Sequence, residues 1–140
     1  MEFHKILVPV SGTDADEEAM KLACRLAKKN KGKVRAVYVI TVKRTLPIDA
    51  EIESEIRKAE GILDHVESVA EEQEYEVETD LLQAREAGPT IVEEAMEREI
   101  DLIVMGVKYK RRFGQFSLGD IVPYVLKNAP CRVILYHQPT

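Results

Sequence analysis

Short runs of branched apolar residues alternate with helical patterns along this chain, and this alternation constrains the fold more than any other feature. Runs such as KILVPV and DLIVMG are typical of strands that are buried on both faces of a sheet. Because helical segments separate the runs, the sequence predicts an α/β fold with a parallel sheet and right-handed crossovers. Five strands are expected, at 4–10, 33–42, 75–82, 101–106 and 131–136.

Four helical patterns connect these strands. The first begins near Thr13 or Asp14, where apolar residues start to recur at helical spacing, and the third begins at a Gly-Pro pair. The half-exposed alternation YEVETDLL indicates an edge strand. The helices are expected from 14 to 30, from 49 to 73, after 88–89 and from 117 to 129, with irregular stretches at 42–49 and 106–117.

Size and charge narrow the class of protein. A length of 140 residues predicts a single domain, 1–140, and a formal net charge of −5 argues against nucleic acid as the main partner. No apolar run approaches the roughly 18 residues that a membrane span needs, and the start of the chain does not resemble a signal peptide. We therefore expect a cytoplasmic protein without membrane insertion.

The turns after the first and fourth strands form the candidate site. In doubly wound sheets, ligands bind at the carboxyl ends of strands where the winding direction reverses. Gly12 in the turn VPVSGT allows a tight bend, and the amides at the following helix start can receive an anion.

A basic loop follows the fourth strand. The stretch from 106 to 120 combines glycines with four cations, and this combination suits phosphate recognition through amides and side-chain charge. A solvated charged loop and a docking patch for an acidic partner remain alternatives. The four cations are Lys108, Lys110, Arg111 and Arg112.

The segments KILVPVSGT, DLIVMG and PCRVILY resemble the opening, fourth and closing strands of the universal stress protein family. The resemblance covers nearly the whole chain. It implies a doubly wound, Rossmann-like sheet of five parallel strands in the order 3-2-1-4-5, of the adenine nucleotide alpha hydrolase-like kind. It also implies a homodimer formed through the last strand, Cys131–Tyr136.

The family's nucleotide-binding branch carries three spaced glycines followed by Ser or Thr. This sequence keeps the spacing from Gly106 to Gly119, but Tyr109 replaces the second glycine and Asp120 replaces the Ser or Thr. Ser11 stands where an acidic residue is usual. Because the tyrosine ring blocks a close approach and the carboxylate repels phosphate, an adenosine moiety fits better than a triphosphate.

The resemblance and the basic loop together imply a site for ATP or AMP. Whether a magnesium ion accompanies the nucleotide is left open. An apolar pocket for adenine and ribose is expected from four of its residues: Pro9, Val39, Met105 and Gly106. The alternative is that Val39 and Met105 are simply core residues. The full set of candidate contacts is Pro9, Val10, Ser11, Val39, Met105, Gly106, Lys108, Tyr109, Arg111, Arg112, Gly119, Asp120 and Ile121.

Motifs that mark hydrolases, metalloenzymes, dehydrogenases and phosphoacceptor receivers are missing from the sequence. There is no GxSxG elbow, no metal-type histidine spacing, no GxGxxG fingerprint and no carboxylate pair after the first strand. We therefore predict a regulatory domain in stress response rather than an enzyme, with weak ATP hydrolysis left open.

The alternative is a nucleotide-free dimeric interaction module with an acidic protein or a transporter as its partner. The transporter is suggested by a weaker resemblance. The segments KYKRRFGQFSLGD and PYVLKNAPCRV look like universal stress domains that accompany transporters.

Overall fold

A computed structural model describes residues 2–112, 115–117 and 119–139, with side chains at all of these except 109–112, 115–117 and 139. Strands and helices alternate as the sequence predicts. In chain order the elements are β1 (Lys5–Pro9), α1 (Ala15–Lys28), β2 (Lys33–Thr41), α2 (Glu53–Glu72), β3 (Glu78–Ala84), α3 (Ala87–Glu97), β4 (Leu102–Arg112), β5 (Gln115–Ser117), α4 (Ile121–Asn128) and β6 (Arg132–Pro139).

Five parallel strands form the sheet in the order β3-β2-β1-β4-β6. This confirms the predicted order and the edge position of the third strand. Ile6 of β1 pairs with Val34 of β2 on one side and with Leu102 of β4 on the other. The chain therefore winds outward in one direction from β1 to β3 and in the other from β4 to β6, so the winding reverses between β1 and β4.

Helices cover both faces of the sheet, which makes a three-layer molecule. Ile6 and Val8 face α1 and α2, whereas Leu7 between them faces α3 and α4, as the pleat of a strand requires. Both faces of the central strands are therefore apolar and buried. None of the helices in the described part of the chain is long and apolar enough to cross a membrane.

The stretch 106–117 differs from the irregular loop that the sequence predicts. β4 continues to Arg112, and β5 pairs with its last residues antiparallel. β4 also pairs with β6, in parallel, as far as Tyr109. Pairing with the nearby β5 and with the distant β6 therefore holds a run of basic residues as a strand, although the run does not look like one. α4 accordingly begins at Ile121 rather than at 117.

Candidate functional site

A cavity of about 240 Å³ opens at the carboxyl ends of the central strands, on the face of the sheet that α3 and α4 cover. Its wall is mostly apolar, and its polar groups stand in the turn after β1 and on β4. The lining residues are Pro9, Val10, Ser11, Thr13, Val37, Tyr38, Val39, Ala87, Ile91, Met105, Gly106, Val107, Lys108, Ile121 and Val122.

The cavity brings together most of the contact residues that the sequence predicts: Pro9, Val10, Ser11, Val39, Met105, Gly106, Lys108 and Ile121. Their role in binding stays a prediction. Met105 belongs to the buried core and also lines the cavity, while Val39 is partly exposed and packs against the same core. The interpretation of these two residues as core and their interpretation as pocket wall are therefore compatible.

Several lining residues were missed by the sequence prediction: Thr13, Val37, Tyr38, Ala87, Ile91, Val107 and Val122. Strand alternation could have found two of them, because Val37 and Val107 lie two residues from Val39 and Met105 and so share their face. The residues of α3 and α4 needed knowledge of which helix covers which face. That knowledge depends on tertiary packing.

The turn after β1 is closed by a carboxylate of the chain itself. Asp16, in the first turn of α1, accepts hydrogen bonds from the Ser11 amide, at 3.2 Å to each oxygen, and from the Gly12 amide, at 2.7 Å. These two turn amides are therefore occupied by a carboxylate of the chain itself. The expectation that amides at the start of α1 receive an anion stays a prediction. Sequence reasoning missed Asp16, because an acidic residue at a helix start is usually solvated.

Two opposing effects act on the pKa of Asp16. Burial raises the pKa of this carboxyl above its ordinary value, because the side chain is only 3% exposed. The amides of Gly12, Ser11 and Thr13, and the charge of His65, act in the opposite direction. The net direction is upward, so burial outweighs the hydrogen bonds.

Two further predicted contacts have structural partners. A Cβ added to Gly106 would lie 2.2 Å from the carbonyl oxygen of Ala15, so the glycine lets α1 approach β4. Lys108 Nζ lies 3.2 Å from Asp14 Oδ2, which draws this cation toward the start of α1. Within the residues that the structure describes, no three His, Cys, Asp or Glu side chains come together to hold a metal ion.

The sequence of this chain matches a known protein family over nearly its whole length. The model of the universal stress protein family matches residues 2–137. The chain belongs to this family. A universal stress protein from Methanocaldococcus jannaschii is 36% identical, over 98% of this chain and 84% of its own length.

Solved structures of other family members superpose closely on this one. A universal stress protein from Archaeoglobus fulgidus matches with a TM-score of 0.76 and 25% identity, over 96% of this chain and 94% of that one. The structure of the universal stress protein from Archaeoglobus fulgidus in complex with dAMP also has a TM-score of 0.76, with 24% identity over 96% and 98% of the two chains. The likeness shows the shared fold.

Two of the three departures from the family's nucleotide motif, Ser11 and Asp120, have described side chains, and only Ser11 lines the cavity. Asp120 and its neighbour Gly119 are exposed just before α4 and do not line it. Asp120 makes no side-chain cap bond, but its charge favours the amino end of that helix. The side chains of Tyr109, Arg111 and Arg112 lie outside the described residues.

Proposed function

We propose that this family member is a regulatory protein of stress response that binds an adenine nucleotide in the cavity described above. Base and ribose lie against Pro9, Val39 and Met105, and the phosphate points toward the rim. The observation that carries this proposal is the position and wall of the cavity. It opens where the winding reverses, and it combines an apolar wall with a few polar groups at one edge.

The size of the cavity favours a nucleoside or its monophosphate. Its volume, about 240 Å³, is smaller than the roughly 300–1,000 Å³ of pockets that enclose drug-sized ligands. A triphosphate chain has to extend beyond the cavity. The relative from Archaeoglobus fulgidus was solved with dAMP, which carries one phosphate.

The charges around the rim of the cavity also favour a nucleoside or its monophosphate over a triphosphate. Lys108 already pairs with Asp14, and Asp16 occupies two amides of the adjacent turn. Asp120 adds a third carboxylate beside the cavity residue Ile121. Each added phosphate charge therefore meets repulsion from nearby carboxylates, so we expect adenosine or AMP to bind more tightly than ATP.

Calorimetric titration with adenosine, AMP and ATP, with and without magnesium, tests the proposal. Val39→Phe fills the cavity and should weaken adenosine binding by more than about tenfold, because the ring takes the ligand's space. The matched control is Leu82→Phe. Leu82 is the register partner of Val39 on β3 and packs on the same face, but it does not line the cavity.

The expected result is micromolar binding of adenosine or AMP that Val39→Phe weakens by more than about tenfold and Leu82→Phe preserves. Absence of binding by all three ligands contradicts the proposal. Equal weakening in both variants also contradicts it, since it shows that the effect comes from general repacking of the sheet. Thermal unfolding of each variant establishes that both remain folded.

A nucleotide-free interaction module is the second candidate, and two contacts favour it. The turn amides and Lys108 are satisfied within the chain, which leaves fewer groups for a phosphate. In this case the basic segment 108–112 engages an acidic protein or a transporter. Reversing the charge of Arg111 and Arg112 should then abolish partner capture, whereas a bulky residue in place of Gly119 should leave it intact. Under either candidate we propose a cytoplasmic homodimer without a catalytic role.

A further inference from the structure

The contacts of Asp16 go beyond those of an ordinary helix-start residue. Its side chain is 3% exposed, and both carboxylate oxygens are directed back at the turn that precedes α1. The donors are backbone amides of Ser11 and Gly12, at 2.7–3.2 Å. A buried carboxylate bonded to consecutive amides occupies the place that an external anion takes in an open nest of amides.

The turn itself needs a restraint. Gly12 has a φ of +95°, in the left-handed region, and a Cβ there would lie 2.9 Å from Ile62 Cδ1. Ser11 and Thr13 on either side of it are exposed and line the cavity. The conformation of this short exposed segment therefore decides where the polar rim of the cavity stands.

We infer that Asp16 is a positioning residue for the ligand cavity: its carboxylate serves as a built-in anion that fixes the turn after β1 and keeps external phosphate out of the turn amides. The inference rests on the proposed function, because the rim matters only if a ligand binds. Asp16 does not line the cavity. It acts through Ser11 and Gly12, whose amides it holds.

The neighbouring acidic residues do not share this role. Glu17 Oε1 lies 2.5 Å from His65 Nε2 on α2, and Glu18 Oε1 lies 3.6 Å from Lys21 Nζ on α1 itself. All three acidic residues favour the amino end of the helix through their charge. Only Asp16 among them is bonded to the turn amides in the described structure, which gives the experiment its control.

Chemical rescue tests the inference. Asp16→Ala removes the carboxylate and leaves space beside the two amides. It should weaken adenosine binding about tenfold, because the turn loses its hydrogen bonds to a charged acceptor and no longer holds the rim of the cavity in one position. Sodium formate, added at matched ionic strength against sodium chloride, should then raise the melting temperature of the variant saturably and restore part of its affinity. The wild type should show no such response.

Two controls separate this role from simple loss of charge or of folding. Glu18→Ala removes a charge from the same helix turn and should leave adenosine affinity and the formate response as in the wild type. Asp16→Asn fills the space but keeps only one acceptor oxygen, because its NH2 group replaces one of the two oxygens that face the amides. It should fold and bind weakly, and formate should not rescue it.

The outcomes distinguish failure of the inference from failure of the proposed function. Wild-type adenosine affinity in Asp16→Ala overturns the positioning role. A melting temperature of Asp16→Ala that responds equally to formate and chloride overturns the built-in anion. If the wild type binds no adenosine, the proposed function fails, and the positioning role fails with it. The formate response of Asp16→Ala then still decides the built-in anion alone.

Discussion

Gly106 shows how a single residue of a nucleotide motif can be required for packing. The sequence marks it as a binding glycine, yet its missing side chain leaves room for the carbonyl of Ala15 at the start of α1. Gly61, in the middle of α2, is the opposite case, because it is exposed and a Cβ there meets no atom within 4 Å. The same substitution should therefore act with opposite sign at the two positions.

We predict that Gly106→Ala lowers the free energy of unfolding by about 1–3 kcal/mol, since the methyl group must displace backbone. Gly61→Ala should raise it by about 1 kcal/mol through helix propensity. Urea denaturation of both variants measures the two effects. A Gly106→Ala variant as stable as the wild type would show that α1 can move away from β4 at little cost.

Asp16 gives a prediction for pH. Burial raises the pKa of its carboxyl in the folded state, so the folded protein favours the protonated form more than the unfolded chain does. The wild type should thus lose stability relative to Asp16→Asn as pH rises from the usual value near 3.8 through the raised pKa, and the difference should then stay constant.

Thermal unfolding of the wild type and of Asp16→Asn between about pH 3 and 7 measures this difference. Parallel curves over the whole range would mean that the pKa of Asp16 is the same in the folded and unfolded states. A difference of the opposite sign would mean that the amide hydrogen bonds outweigh burial.

At the scale of elements, the outer edge of β6 is the proposed contact surface for a second copy of the chain. It pairs with β4 on one side, and the described sheet places it at an edge. Several of its residues are only partly buried, and Tyr136 is 36% exposed. Exposed strand edges favour pairing with another chain, which supports the proposed dimer through Cys131–Tyr136.

We predict a dimer in solution that Tyr136→Lys converts to monomer, because a charge at the proposed contact opposes the approach of a second copy. Met96→Lys is the matched control, since Met96 is 62% exposed and belongs to α3, outside the proposed contact strand. Light scattering coupled to size exclusion measures both masses. A monomeric wild type would remove the basis for the dimer.

The sequence predicts the elements that have their own local signal. β1 and the start of β4 are apolar runs, and these strands lie where expected. The continuation of β4 to Arg112 has no such signal, because alternating basic residues resemble a solvated loop. Its stability comes from pairing with β5 and β6, which lie outside the run itself.

At the scale of the whole molecule, the family resemblance predicts the strand order and the position of the cleft. The details of the site depend on packing that a linear pattern does not contain. Ile91 and Val122 line the cavity because α3 and α4 cover one face of the sheet. Asp16 accepts hydrogen bonds from the turn amides because α1 begins directly after the turn. Its carboxylate is therefore bonded within the chain.

The position of β4 beside β1 has a consequence for synthesis of the chain. β1 is made first, but its second neighbour in the sheet begins only at Leu102. Until the ribosome has passed that point, β1 to β3 have an open apolar edge at what becomes the centre of the sheet. The cavity needs residues from Pro9 to Val122, so a ligand bound there can stabilise only a chain that is nearly complete.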